Sequence, residues 1–356
     1  FFFSSLQIEE LVALSYREVG VTNLAVCWNS LTLFGTFSCK NLSSYTQSAG
    51  NRHFTRNTSS SETECEISCQ NFNMYHKIYR ELGFTSKISD QWLSWFVGFA
   101  EGDGAILINK GRLRFVLTQK EEFILNHIKN TLDFGTVRKI DTGGTVFYRY
   151  IVEDLKGVLL LALIFNGNLC ITQRVTQLGK WLTDINLKLS TPGSIIFRLC
   201  TSITLITVLF KPSLTNAWLS GFTDAEGCFN VSITKRGNTV SGNRVNLRFI
   251  LDQKNSLYLL TFIRDLFGYG KVIVRSKGIY RFYCETFIGL SSVNSYFSSF
   301  PLKSKKSISY ANWFKVYQIV INNEELTTQG IERVRTIKKT ININNSLTNK
   351  TGSAKP

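Results

Sequence analysis

The sequence has 356 residues, of which 44% are hydrophobic, 13% are aromatic and only four are proline, so a disordered or fibrous chain is excluded. The formal charge of +16 falls wholly on residues 90–356, since residues 1–89 hold seven basic and seven acidic side chains, and this predicts a polyanionic partner. The eight cysteines and three histidines do not follow zinc-site spacing, and the apolar stretch at residues 195–210 is too short and interrupted for a membrane span.

The first segment of the chain, residues 1–88, differs in composition from the rest. It begins with three phenylalanines and no initiator methionine, and residues 43–70 are rich in Ser, Thr and Asn. This pattern predicts an appended leader that is partly disordered or read through from an upstream reading frame. We expect such a leader to be dispensable for the activity of the remaining chain.

An internal repeat organises the chain beyond this leader. A shift of 123 residues aligns the segment that begins at Trp95 with the one that begins at Trp218. The match continues in order, with Gln119-Lys120 over Gln253-Lys254 and Trp181 over Trp313. A duplication of this kind sets the architecture. It predicts four regions after the leader: a first half-domain at 89–190, a linker at 191–212, a second half-domain at 213–324 and a basic polar tail at 325–356.

Each copy reads in chain order as helix, hairpin, helix, hairpin, helix, an αββαββα arrangement of the α+β class. The first helix is expected to start after a capping residue, Asp90 in one copy and Ser213 in the other. Helices near 121–132 and 256–267 would cover one face of each sheet, and a helix near 309–323 would end the second copy.

Basic and apolar side chains alternate along the predicted strands. In the second copy Arg244, Asn246 and Arg248 share one face, whereas Val245 and Leu247 share the other. The first copy repeats the pattern around Arg112 and Arg114. Each sheet should therefore have an apolar face and a basic face.

The first helix of each copy carries small residues four positions apart. These are Gly98 and Gly102 in one copy and Gly221 and Ala225 in the other. Residues four apart share a helix face, so the two helices could pack with their backbones nearly touching.

Such packing would bring together the acids that end these helices, Asp103 and Glu226. Carboxylates are hard oxygen ligands suited to Mg²⁺, which binds through few carboxylates and keeps waters and phosphate oxygens. Phosphodiester hydrolysis assisted by a metal needs such a centre.

The two segments, VGFAEGDG at 97–104 and LSGFTDAEG at 219–227, resemble the motif of the LAGLIDADG homing endonucleases, and the resemblance extends over residues 90–324. It implies two pseudo-symmetric half-domains with the LAGLIDADG helices packed at the centre. Two antiparallel sheets would form a DNA-binding saddle beneath them.

The resemblance also implies roles for the motif acids. The last acid of each motif, Asp103 or Glu226, would bind the catalytic Mg²⁺ or Mn²⁺. The preceding acids, Glu101 and Asp224, would be structural.

Further site residues follow from the family pattern. A glutamine at the end of the second strand falls on Gln119 and Gln253. A lysine before the last helix fits Lys305 best, with Lys306 as the adjacent alternative. Copy one departs from the pattern, because it offers Gln173 and Arg174 in place of a lysine.

The saddle would contact DNA through basic and amide side chains on or near the strands. The candidates are Arg112, Arg114, Arg149, Arg244, Asn246, Arg248, Lys271, Arg275 and Arg281. Arginine and asparagine there can read guanine and adenine edges, and others can bind phosphate. The implied partner is double-stranded DNA with a long, imperfectly palindromic target, bound by a monomer with no membrane association. The implied location is an organelle matrix, most often that of a mitochondrion.

Two other functions share this pattern. One is an intron maturase, a splicing cofactor that binds intron RNA on the same fold, and the other is a catalytically inactive DNA-binding relic. Both motif acids are present, at Asp103 and Glu226, which favours the endonuclease.

Overall fold

A computed structural model describes residues 70–237 and 240–342, whose helices and strands occur in the same order in two halves. The first half contains α1 (Asn73–Glu81), α2 (Asp90–Asp103), β1 (Gly104–Asn109), β2 (Arg112–Gln119), α3 (Glu122–Leu132), β3 (Thr136–Thr142), β4 (Thr145–Val152), α4 (Leu155–Phe165) and α5 (Thr172–Ser190). The second half contains α6 (Trp218–Glu226), β5 (Gly227–Lys235), β6 (Asn243–Lys254), α7 (Leu257–Phe267), β7 (Lys271–Ser276), β8 (Ile279–Cys284), α8 (Phe287–Ser299), α9 (Lys306–Ile321), a short 3₁₀ helix (Glu324–Leu326) and α10 (Thr328–Lys338).

Each half has one four-stranded antiparallel sheet, with strand orders β1-β2-β4-β3 and β5-β6-β8-β7. The α+β class is therefore confirmed. The αββαββα order has a single helix after the second hairpin, whereas two helices follow it in the first half, and three α-helices and a 3₁₀ helix follow it in the described part of the second half. No helix in the described ranges is both long and apolar enough to span a lipid bilayer.

The predicted alternation along the strands is confirmed. In β2 the side chains of Leu113, Phe115 and Leu117 are buried, whereas Arg112 and Thr118 are exposed. Successive strand residues point to opposite faces, so the apolar set packs against the helices and the polar set faces outward.

The predicted caps of the two central helices are wrong. The hydroxyl of Ser89, not Asp90, accepts a hydrogen bond from Trp92 N at 3.2 Å and caps α2. Ser213 instead accepts from Thr215 N at 3.1 Å within the preceding turn. A capping side chain must lie within three residues of the N–H it accepts from, and Ser213 precedes the helix start at Trp218 by five residues.

The predicted boundary of the leader at residue 88 is also wrong, because residues from 70 onward belong to the first half-domain. Helix α1 packs against α4, with Tyr75 and Ile78 fully buried. Asn71 N donates to the side chain of Asn168 at 3.0 Å, and the Tyr79 hydroxyl donates to Leu132 O at 3.2 Å. Residues 1–69 of the predicted leader lie outside the described part.

A chain that begins at Lys87 is therefore expected to be much less stable than one that begins at Cys65. The shorter chain lacks the buried side chains of Tyr75, Ile78 and Tyr79, each of which contributes about 2 kcal/mol by burial. Urea unfolding of both chains measures the difference. Equal midpoints would show that α1 adds nothing to the core.

The predicted linker at 191–212 packs along the first half-domain. Ile196 and Phe210 are buried. The side chain of Asn186 donates to Ile203 O at 3.0 Å and accepts from Ile203 N at 2.7 Å, so this amide holds the extended backbone in place.

The predicted tail at 325–356 is, as far as residue 342, part of the second half-domain. The side chains of Ile331 and Val334 in helix α10 are buried. The side chain of Asn342 donates to Phe229 O in β5 at 2.7 Å. Residues 343–356 lie outside the described part.

Candidate active site

The two central helices, α2 and α6, cross at a pair of glycines. A Cβ atom added to Gly98 would lie 2.0 Å from Trp218 O, and one added to Gly221 would lie 1.8 Å from Trp95 O. Both distances are far shorter than any real contact, so only glycine permits this backbone approach. Gly102 and Ala225 meet one turn later, where a Cβ on Gly102 would lie 2.3 Å from the Ala225 Cβ.

Each central helix is anchored to the other by a buried tryptophan and a buried acid. Trp95 Nε1 in α2 donates to Asp224 Oδ2 in α6 at 2.9 Å. The reciprocal bond runs from Trp218 Nε1 to Glu101 Oε2 at 2.8 Å. The internal symmetry of the sequence is therefore repeated in the hydrogen bonds between the halves.

The same two acids also accept hydrogen bonds from the backbone just before a later helix in each half, α5 or α9. Glu101 Oε1 accepts from Cys170 N at 2.7 Å and from Ile171 N at 2.8 Å, just before α5. Asp224 accepts from Lys303 N at 2.8 Å and from Ser304 N at 3.1 Å, just before α9. Burial raises the pKa of Glu101 to about 7, and it also raises that of Asp224.

Amide replacements of these acids should each destabilise the fold. In Glu101→Gln the new NH₂ group would face at least one donor, Trp218 Nε1, and in Asp224→Asn it would face at least one, Ser304 N. A buried donor left without an acceptor costs about 1–3 kcal/mol, so each variant should lower the free energy of unfolding by about that amount. Urea unfolding measures the loss in each variant.

The exposed acid Asp265 offers a control for this pair. Its replacement by Asn should change the free energy of unfolding by no more than about 0.5 kcal/mol, as is usual for surface positions. A loss for Asp265→Asn as large as that for Asp224→Asn would contradict the anchoring role.

The second acid of each motif, Asp103 or Glu226, ends its central helix and faces a glutamine. Gln119 Nε2 donates to Asp103 Oδ2. The Gln253 amide, in the orientation that hydrogen bonding favours, donates to Glu226 Oε1 at 3.1 Å. Each glutamine points to the same face of its strand as the buried residues. It lies beyond the last of them, so its amide contacts the end of the central helix.

Burial and mutual repulsion act on these two carboxyls. Burial raises the pKa of Asp103, and burial together with the charge of Asp103 raises the pKa of Glu226 to about 7. Two carboxylates that disfavour each other's charge in this way would be stabilised by a cation between them.

One cation from each half approaches these acids. Lys306 Nζ donates to Thr223 O at 3.2 Å and to Ala225 O, and burial lowers its pKa, although Asp103, Asp224 and Glu226 raise it. Arg174 donates to Glu101 O through Nε at 3.3 Å and Nη2 at 3.2 Å. When the two copies of the sequence are aligned at Trp181 and Trp313, Arg174 is the residue equivalent to Lys306.

The geometry favours Lys306 over Lys305, the residue preferred from the sequence. Lys305 is exposed, and its backbone N–H donates to Glu121 Oε2 at 3.1 Å. Lys306 begins α9, and its side chain turns toward the ends of the central helices. Adjacent residues at a helix start point in different directions, so only one of them can face the acids.

The donor set fits a magnesium ion that is shared with a substrate. Within the described ranges, no group of three or more His, Cys, Asp or Glu side chains could hold a metal ion. Mg²⁺ typically uses one or two carboxylates and completes its shell with water and phosphate oxygens. Asp103 and Glu226 would supply the two carboxylates and would leave positions for a phosphodiester.

The outer faces of the sheets carry the candidate DNA-contacting residues. Residues that face outward on the strands include Arg112, Arg114, Arg149, Arg244, Asn246, Arg248, Lys271 and Arg281, and Arg275 lies at an irregularity in β7. An equivalent ion pair occurs in both halves, Arg114 with Glu153 at 2.9 Å and Arg248 with Glu285 at 2.8 Å.

One outward arginine was missed from the sequence. Arg138 in β3 is exposed and lies directly opposite Arg149, so both point to the same face. The alternation of Arg138 with the half-buried Val137 on one strand was the available signal.

Comparisons with known proteins agree with this architecture. A family model described as LAGLIDADG endonuclease matches residues 96–183 and 219–317. The probable intron-encoded endonuclease 4 of Neurospora crassa is 38% identical over 261 residues, which cover 72% of this chain and 45% of that protein. The chain thus spans less than half the length of that relative.

A second relative and a solved structure match a similar share of this chain. The uncharacterized cox1 intron-2 37.2 kDa protein of Schizosaccharomyces pombe is 27% identical over 245 residues, with 69% of this chain and 71% of that protein covered. The crystal structure of the LAGLIDADG meganuclease I-AabMI bound to uncleaved DNA has the same fold, with a TM-score of 0.57, 23% identity, and coverage of 70% of this chain and 99% of that one. With both repeats of the sequence matched by the family model, this chain belongs to the LAGLIDADG endonuclease family.

Proposed function

We propose that this chain is a homing endonuclease, which cuts both strands of DNA at a specific site with Mg²⁺ or Mn²⁺ held by Asp103 and Glu226. The observation that carries the proposal is the meeting of these two acids at the ends of the crossed helices, each with a glutamine donor and with a cation nearby. When bound, the metal supplies an activated water and stabilises the leaving oxygen.

The residues of the chain have separate tasks in this proposal. Gln119 and Gln253 hold the two carboxylates in place by hydrogen bonds. Lys306 and Arg174 bring positive charge toward the phosphates, which otherwise would meet two buried acids. The centre is unequal, since the second half presents an ammonium and the first half a guanidinium.

The basic outer faces of the two sheets support double-stranded DNA as the partner. Both half-domains are in one chain and their outer faces differ, so we propose that a monomer binds a long target whose halves are similar but not identical. Binding should weaken steeply with salt, because each phosphate contact releases counterions.

Mitochondrial location is part of the proposal. A relative that matches a similar share of this chain is named a cox1 intron-2 protein, and we propose that this chain acts on an intronless allele in the mitochondrion.

A cleavage assay tests the function. A supercoiled plasmid that carries the intronless allele of the host gene should be linearised at one site by the chain with Mg²⁺, and chelation of the metal should stop the reaction. If the plasmid stayed intact and the chain instead promoted splicing of the intron RNA, the maturase function would replace the endonuclease.

The two adjacent lysines allow a matched test of the centre. Lys306→Met should slow cleavage by about a hundredfold, since a charge aimed at the reacting phosphate contributes a few kcal/mol. Lys305→Met should change the rate by less than threefold, an allowance of about 0.7 kcal/mol, because Lys305 is exposed and its one hydrogen bond to Glu121 is made by its backbone N–H, which the substitution keeps. Single-turnover rates on the same plasmid provide the comparison. Equal rates for the two variants would contradict the assignment of Lys306.

A further inference from the structure

The two sheets differ in chemistry at one pair of equivalent positions beside the candidate active site. Thr118 and Asp252 each precede the glutamine that ends its strand, Gln119 or Gln253. Thr118 lies directly opposite Arg149, and Asp252 lies directly opposite Arg281. Equivalent arginines therefore face a hydroxyl in the first half and an acid in the second.

The two arginines consequently have different partners. Arg281 donates to Asp252 through Nε at 2.7 Å and through Nη2 at 2.6 Å, and Arg275 Nη1 lies 3.4 Å from the same carboxylate. Arg149 lies over the Phe147 ring at 5.2 Å, and its Nε is buried with no hydrogen-bond partner among the described residues. Arg281 is therefore paired with an acid, whereas Arg149 has no acidic partner in the described part of the chain.

An acid on this face is unfavourable if the face binds only phosphates. Asp252 repels phosphate groups and occupies two guanidinium groups that could otherwise bind them. Its carboxylate has about four acceptor sites, and the three bonds from Arg281 and Arg275 leave one for another donor.

The bases of the major groove offer a donor and an acceptor that match this pair. A carboxylate can accept from the N4 amino group of cytosine, and an arginine can donate to O6 or N7 of guanine. Arg281 uses Nε and Nη2 for Asp252, so Nη1 remains for the guanine.

We propose that Asp252 is a specificity-determining residue that, with Arg281, reads a cytosine·guanine pair in the half-site under the second sheet, whereas Arg149 binds phosphate in the other half. The inference rests on the proposed function, since it requires DNA against the outer faces of the sheets.

Exchange of the two equivalent residues provides the test. Full-length wild type, Asp252→Thr and Thr118→Asp are used to select from a library of random duplexes, and each is titrated with salt on a duplex of random sequence. Asp252→Thr should lose the cytosine preference at one position in one half-site only. It should also bind the random duplex more tightly, with a salt slope steeper by about one to two units, as Arg281 and Arg275 become available to phosphates.

Thr118→Asp should have the opposite effects, with weaker binding of the random duplex and a new cytosine preference at the mirrored position. Asp265→Thr removes the same charge from helix α7 and should leave the selected sequence unchanged. If wild type binds DNA but Asp252→Thr keeps the selected sequence and salt slope of wild type, this inference is overturned and the proposed function stands. A wild-type chain that binds no duplex DNA would overturn both.

Discussion

Asp103→Asn and Glu226→Gln are each expected to reduce DNA cleavage about a thousandfold or more while DNA binding survives. Each replacement keeps the size of the side chain and removes one of the two charges available to a metal. Loss of metal-assisted catalysis costs several kcal/mol of transition-state stabilisation, and about 4 kcal/mol corresponds to a thousandfold in rate. Affinity should be equal or slightly higher, because a negative charge near the phosphates is lost.

Plasmid cleavage and a gel shift on the same target measure the two effects separately. The exposed acid Asp265 provides the control, since Asp265→Asn removes one negative charge away from the centre and should cleave as wild type does. If either motif variant cut both strands at the wild-type rate, Asp103 or Glu226 would not be a metal ligand. If either failed to bind DNA at all, loss of cleavage would say nothing about the metal.

Alanine at either crossing glycine is expected to be among the most destabilising single changes in the chain. The new Cβ of Gly221→Ala would lie 1.8 Å from Trp95 O, and that of Gly98→Ala would lie 2.0 Å from Trp218 O. The obstructing atoms belong to backbone, so the two helices must move apart. Overpacking of a core costs about 1–3 kcal/mol or occasionally more, and separation of α2 from α6 would also strain the bonds from Trp95 and Trp218 to the buried acids. We therefore expect a loss above about 4 kcal/mol, which is exceptional for one substitution.

Gly179→Ala is a matched control for these two variants. Gly179 is also within a helix, α5, but its added Cβ would meet only the end of the Leu205 side chain at 3.0 Å. Alanine is favoured over glycine in a helix by about 1 kcal/mol, so this variant should be neutral or more stable. Urea unfolding of the three variants gives the comparison. A loss for Gly98→Ala or Gly221→Ala no larger than that for Gly179→Ala would show that the helices can separate at little cost.

The sequence by itself determined the duplication, the α+β class and the facing of the strands. These properties are local or periodic: a fixed shift aligns Trp95 with Trp218, and the two-residue period of β6 separates Arg244 and Arg248 from Leu247. The small residues of the first helices and the acids that follow them could be identified for the same reason, because spacing along one helix decides which residues share a face.

Tertiary structure decided which side chains meet across the two halves. The choice between Lys306 and Lys305 depends on how α9 docks against α6, and neighbouring residues in the sequence do not reveal that orientation. The bonds from Trp95 to Asp224 and from Trp218 to Glu101 join residues more than a hundred positions apart. Helix α1 precedes the repeat, so its place in the first half-domain could not be found by aligning the copies, and it was fixed by the burial of Tyr75 and Ile78 in the core.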